Sequence, residues 1–310
     1  MKKALPGSMI VIGAVLWGLI GIFVKGLAEA GLTEMEIVTL RVAVATAILT
    51  VAGVLFYQRE MKIKPGDIYL FVGTGLLSVV FFNWCYFTAI NEMNISVAVA
   101  LLYTAPAIVA ILSSLFLGEA MSMRKAAAAV VTVAGCALIA GVNVGAGAGF
   151  TWLDLLTGVG AGLGYALYSI FGKVALQKYH PFTVTFYTFL VATVFLLPVT
   201  GLWEKGPNIL ESGTVMLSLG LGLVPTVLAY FVYSWGLEKV ESSRAAVMAS
   251  IEPIAATLLG VLIFHEKITY IQLLGTFLII GSVFIVNMPP AKRFKDTAAD
   301  SRQQSKSAPQ

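Results

Sequence analysis

Charge is scarce in this sequence. Of 310 residues, 12% are Asp, Glu, Lys or Arg, 58% are apolar, and the mean hydropathy is +0.90. A soluble domain carries about 25% charged residues. A fold surrounded by water could not hide this much apolar surface, so lipid is the expected solvent for most of the chain. Histidine is scarcer still, with only His180 and His265. There is no HExxH, no GxSxG, no cysteine cluster and no phosphate-binding P-loop, which argues against an enzyme and against an ATP-driven machine working alone. Cys85 and Cys136 sit in apolar stretches without metal-ligand spacing and read as packing residues. No cofactor and no metal are expected. Alternating ten-residue strands are also missing, so the membrane is crossed by helices. The net charge of +4 comes from short loops and the tail, not from one basic element, so nucleic acid is not an expected partner.

What is present is a series of apolar runs, each near the 20 residues a helix needs to span hydrocarbon. They predict ten spans: 8–27, 34–57, 67–90, 95–117, 125–142, 153–175, 182–203, 212–237, 243–264 and 269–288. The first is too long for a typical signal-peptide core and is read as a transmembrane helix. Pro289-Pro290 opens a polar tail, 289–310, expected to be disordered. With the N-terminus in the cytoplasm, eleven Lys and Arg residues before the tail fall inside, and three, Lys25, Lys205 and Lys267, fall outside. The positive-inside rule therefore puts both termini in the cytoplasm.

The chain repeats itself. Phe23 and Lys25 match Phe171 and Lys173, 148 positions later. Further on the offset is 147: Gly73 and Gly75 match Gly220 and Gly222, Tyr86 matches Tyr233, and Pro106 matches Pro253. Leu112 matches Leu259 and Glu119 matches Glu266 at the same offset. A one-residue slip in a loop accounts for the change. The halves are 1–142 and 153–288, joined by a Gly-rich linker, 143–152. Five helices per half is odd, so the second half enters the membrane from the opposite side. The expected architecture is an all-α integral membrane protein of two inverted five-helix repeats. Inverted repeats are the construction of carriers with a solute site near the midplane, reached alternately from each side.

Ionisable groups inside a membrane cost at least about 2.5–3.5 kcal/mol each and call for a reason. Glu252 stands near the middle of the ninth span, beside Pro253, whose missing N–H leaves a carbonyl near Ala249 without its helical partner. Such a carboxyl could bind an ammonium group, carry a proton, or serve as a structural acceptor. Arg41 lies in the second span, with Phe189 as its repeat counterpart. It could recognise a substrate carboxylate, pair with Glu252, Glu34 or Glu36, or snorkel to the interface. Tyr230 and Tyr233 are three apart and share a helix face, matching Asn83 and Tyr86. Tyr165 and Tyr168 repeat that spacing, with Tyr165 matching Trp17, and Tyr103 adds a further ring. Together these groups could cradle a small organic molecule; packing and the interfacial aromatic belt are the alternative. Glu119 and Glu266 are expected to brace loops, with Arg124 and Lys267 as partners.

Several motifs carry a family resemblance: Trp17-Gly18, Leu40-Arg41, Tyr103-Thr104-Ala105-Pro106 through Leu117-Gly118-Glu119, and Ile251-Glu252-Pro253 through Phe264-His265-Glu266. In these the chain resembles the drug/metabolite transporter superfamily, specifically EamA-type transporters with two EamA domains. The resemblance runs from about Ser8 to Met288 and departs from the pattern at His265, where the first copy has Gly118. It implies ten helices and a cavity lined mainly by helices 1, 3, 4, 6, 8 and 9. It further implies a secondary transporter in the bacterial cell membrane, with no cofactor beyond proton coupling. The cargo expected is a small metabolite, foremost an amino acid moved outward. Uptake of a solute, or flipping of a lipid or amphiphile, is the alternative. A homodimer stays open.

Overall fold

The computed structural model describes residues 5–93, 95–141, 151–265 and 267–288. The expected linker and tail, and Glu266, lie outside the described residues except at the linker's last two positions. The described residues form helices joined by short turns, and no strand is found among them. Nine segments are long and apolar enough to cross a membrane: α1 Leu5–Glu29, α2 Glu34–Phe56, α3 Pro65–Glu92, α4 Ile95–Phe116, α6 Trp152–Leu176, α7 Pro181–Thr200, α8 Ser212–Lys239, α9 Ser242–Ile263 and α10 Tyr270–Asn287. Between α4 and α6 comes α5, Met123–Ile139, whose 17 residues make it the shortest of the series. At about 1.5 Å per residue it falls a little short of the ~30 Å hydrocarbon thickness.

Helix starts are written in the local sequence. Thr33, Thr151 and Thr269 each cap the backbone N–H three residues on, while Glu36, Asp154 and Gln272 accept from the threonine N–H in return. These capping boxes satisfy donors that lipid could not. The left-handed C-caps recur as well: Gly118 has φ +67° and its counterpart His265 has φ 55°, so the histidine follows the same turn as the glycine.

In lipid, apolar helices gain little by facing each other, so small residues and hydroxyls decide the contacts. The antiparallel α5–α10 pair meets at Gly135 and Gly275, and Thr132 donates to Ser282 Oγ at 2.7 Å. A Cβ on Gly275 would lie 2.6 Å from the Gly135 carbonyl oxygen. Gly275→Val is therefore expected to force these helices apart and cost about 2–3 kcal/mol, as other overpacked sites do. Thermal loss of the monodisperse size-exclusion peak, compared with the parent, checks it.

The two halves are interwoven and follow the repeat. α1 crosses to pack on α8, and α6 crosses to pack on α3. Phe23 lies on Gly220 while its counterpart Phe171 lies on Gly73. Gly75 abuts Val191 while Gly222 abuts Val44, and Thr46 shares a 2.9 Å hydrogen bond with Thr193. These last pairs hold the 147 offset across α2 and α7. The slip thus precedes α2, and the counterpart of Arg41 is Thr188 rather than Phe189.

Candidate functional site

Three helices break at the same depth. α1 tightens at Leu19, just past Trp17 and Gly18. α4 breaks at Tyr103 and Thr104, and α9 breaks at Ser250 and Ile251, two or three residues ahead of Pro106 and Pro253. Proline offers no N–H to the preceding turn, so α4 and α9 restart there. In α4 the Thr104 hydroxyl takes up the Leu101 carbonyl at 2.7 Å. In α9 the restart puts Glu252 in the first turn of a new helix segment, where the aligned peptide dipoles favour a carboxylate. α3 and α8 reach the same depth through π-helical stretches, Gly73–Val80 and Leu223–Leu228. Such windings cluster at functional sites. Asn83 and Tyr230 follow them directly.

Around these breaks lies a cavity of about 570 Å³, within the ordinary range for a small-molecule site. Trp17, Tyr165 and Tyr230 form its floor, and Phe82, Asn83, Tyr86 and Tyr103 belong to its walls. Glu252 and Arg41 both line it. The Tyr165 hydroxyl donates to Glu252 Oε2 at 3.2 Å. Arg41 is 6% exposed, its Nε has no hydrogen-bond partner, and no ion pair reaches it among the described residues. The expected snorkelling is absent, because the side chain stays inside. Pairing with Glu36 is absent too: that carboxylate accepts from the Thr33 N–H at 2.8 Å and faces Lys205 at 3.8 Å. The cavity thus holds one positive group, Arg41, and two acidic ones, Glu252 beside the rings and Glu34 near the mouth.

Of the ten residues singled out in the sequence, eight line this cavity. Tyr168 and Tyr233 do not. They lie beneath the floor, where Tyr168 OH shares a 2.8 Å hydrogen bond with Ser234 Oγ and Tyr233 OH a 3.0 Å bond with Ser169 Oγ. Trp17 packs edge-on against Tyr230 and Tyr165, with centroids 5.0 and 6.3 Å away. Asn83 donates its amide to the Val79 carbonyl of its own helix at 2.7 Å. Helices α2 and α5 also form walls, through Ile37, Val38 and Ile139, beyond the six helices the resemblance implied. Thr257, one turn past Pro253, is a wall residue that sequence reasoning missed. Its position four after a helix-breaking proline is the signal that could have found it.

The cavity reaches one face only. Its lining runs out to Val24, Glu34, Ile90, Ala140 and Gly260, all near helix ends that share the face opposite the described chain ends. The other face is sealed. Lys173 Nζ donates to the carbonyl oxygens of Leu237, Glu238 and Val240 at 2.7, 3.1 and 2.7 Å. Glu119 accepts from the Ser242 and Ser243 N–H groups and from the Ser243 hydroxyl, at 2.5, 3.1 and 2.7 Å. Burial opposes its charge, but these donors outweigh that and hold the Glu119 carboxyl below the usual carboxylate range. The expected brace to Arg124 is replaced: Arg124 donates to the Met288 carbonyl at 2.9 Å, and Lys125 pairs with Glu241 at 3.2 Å. Backbone donors won because the α9 N-terminus points at Glu119. Among the described residues, no cluster of His, Cys, Asp and Glu could hold a metal ion.

Comparison with known proteins gives a consistent picture. The model of the EamA-like transporter family matches twice, over residues 6–141 and 152–288. An uncharacterised transporter of Archaeoglobus fulgidus is 29% identical, over 90% of this chain and 94% of that one. A probable terminal-alkyne amino-acid exporter of Streptantibioticus cattleyicolor is 27% identical, over 97% of this chain and the whole of that one. A solved crystal structure, 17% identical, superposes with a TM-score of 0.72 over 91% of this chain and 96% of its own. That likeness speaks for the fold alone.

Proposed function

The chain belongs to the EamA-like transporter family, and from that premise we propose that it exports a zwitterionic, amino-acid-like solute by alternating access. At the coarser level it is a membrane transporter of small solutes and not an enzyme. The observation that carries the finer reading is the placement of Arg41 and Glu252 on one cavity walled by aromatic rings. An α-amino acid offers a carboxylate and an ammonium group, and these two residues complement it. Arg41 takes the carboxylate through its guanidinium fork. Glu252 takes the ammonium, with the faces of Tyr165 and Tyr230 nearby. The probable amino-acid exporter among its relatives supports the same class of cargo.

The basic loops support cytoplasmic termini in a bacterial cell membrane. The cavity then opens outward, in a state that has released its cargo. Glu252 is the acidic group of the cavity that is bonded to its floor, through Tyr165, so it is the natural carrier of a proton exchanged for the solute. The solute leaves, a proton takes its place on the carboxyl, and the return step delivers that proton inside.

Untargeted comparison of metabolites inside and outside cells, with and without the chain, tests this reading. A zwitterionic amine accumulating outside is the expected result. Depletion of a medium component would make the protein an uptake carrier, and a change confined to lipids would make it a flippase. Either outcome overturns the export reading.

A further inference from the structure

Beneath the floor of the open cavity lies a second, much smaller chamber of about 20 Å³. The floor residues Trp17, Tyr165 and Tyr230 border both spaces, whereas Tyr168, Ser169 and Tyr233 line only the chamber. The repeat relates the two spaces. At the offset of 148, Tyr168 and Ser169 on α6 correspond to Ile20 and Gly21 on α1. At the offset of 147, Tyr233 and Ser234 on α8 correspond to Tyr86 and Phe87 on α3. All four counterparts line the open cavity. The chamber is thus bordered by the same elements that, in the other half, wall an open path.

Two hydrogen bonds tie α6 to α8 around the chamber: Tyr168 OH with Ser234 Oγ at 2.8 Å, and Tyr233 OH with Ser169 Oγ at 3.0 Å. All four residues are 5% exposed or less, so each hydroxyl depends on its partner. On the open side the corresponding pairs are Ile20 with Phe87 and Gly21 with Tyr86, and neither can form a side-chain hydrogen bond. A Cβ on Gly21 would meet nothing within 4 Å. Between the two spaces, the buried Trp17 Nε1 has no hydrogen-bond partner among the described residues, so displacing that ring breaks no such bond. We propose that the chamber is the collapsed inner half of the solute path, and that the Tyr168–Ser234 and Tyr233–Ser169 pairs are the gate that holds it shut. When the closed face opens, α6 and α8 part, and the freed hydroxyls line the passage as hydrogen-bonding partners for a polar solute. Hydrogen bonds close one side and apolar contacts close the other, which favours the state seen here. This rests on the alternating-access reading but not on the identity of the cargo.

The test needs no substrate. With the buried Cys85 and Cys136 replaced by alanine, a single thiol is placed on the closed path or in the open cavity. Ala249→Cys serves the first, since Ala249 is buried in one cluster with Tyr168 and Tyr233 and its counterpart Leu102 lines the cavity. Leu259→Cys serves the second. The rate of labelling by a small hydrophilic methanethiosulfonate is measured in lipid nanodiscs. Tyr168→Phe with Tyr233→Phe removes both gate bonds and keeps both rings. It is expected to speed labelling at position 249 about threefold or more and to slow it at position 259, as the population moves to the other state. If that double variant does not fold, Ser169→Ala with Ser234→Ala removes the same two bonds from the other side. Faster labelling at 249 with no protection at 259 would mean a loosened bundle and overturns the gate. Glu119→Gln weakens the closed face at a separate contact and divides the remaining cases. If it alone shifts the two rates in opposite directions, the gate falls and alternating access stands. If neither it nor the loss of the gate bonds shifts either rate, both fall together.

Discussion

Glu252→Gln is expected to fold at parental yield and to lose export of the zwitterionic solute. The substitution keeps the volume, and the Gln oxygen can still accept the Tyr165 hydroxyl that lies 3.2 Å from Glu252 Oε2. What it removes is the charge that an ammonium group would meet and the site a proton would occupy. A hydrogen bond to a charged group contributes about 1.5–3 kcal/mol, which converts to a tenfold or greater loss of affinity. Loss of proton exchange adds to that, so efflux from preloaded cells or proteoliposomes should fall by at least about tenfold, and its dependence on a pH gradient should vanish. Undiminished efflux by the variant would remove Glu252 from the mechanism. Loss of folded protein would instead make it a structural acceptor for Tyr165.

Much of this architecture is legible in the sequence because lipid enforces a narrow code. Apolar runs of one length mark the spans, and residues that cannot be exchanged cheaply, such as Pro106 and Pro253 or the paired glycines, expose the duplication. The candidate site is legible in part for the same reason: Glu252 and Arg41 are conspicuous against an apolar background. Other features depend on how helices cross. Tyr165 and Tyr168 share a helix face by spacing, yet one reaches the cavity and the other bonds Ser234 below its floor. That difference is one of depth along the face, which periodicity does not encode. Glu119 meets Ser242 and Ser243 across more than 120 residues of chain, a pairing no local rule indicates. The π-helical stretch of α8 holds Pro225, which cannot give an N–H to the preceding turn, but that of α3, Gly73–Val80, has no proline to announce it. The repeat itself is symmetric, so it cannot say which face is open; Lys173 engaged on its carbonyls identifies the closed one.

Arg41→Met is the companion experiment, and it is expected to separate stability from function. A guanidinium at this depth costs at least about 2.5–3.5 kcal/mol on insertion scales. Arg41 is buried, its Nε is unpartnered, and no carboxylate lies within ion-pair distance among the described residues. Methionine fills a similar length with an adaptable apolar chain. The variant should therefore melt a few degrees higher than the parent, since a kcal/mol is worth roughly 2–4 °C in a chain of 150–250 residues. Export of the zwitterion should fall about tenfold or more, because its carboxylate loses a bidentate, charge-assisted partner. A decarboxylated analogue, an amine without the acid, should be moved equally by variant and parent. Such a pattern is the mark of a strained group kept for recognition rather than for the fold. A melting temperature that drops by several degrees would assign Arg41 to the scaffold. Equal losses for both compounds would show that the arginine does not read the carboxylate. Combining the variant with Glu252→Gln then measures whether the two groups act on one solute. Losses that fail to multiply mean that each residue holds an end of the same molecule.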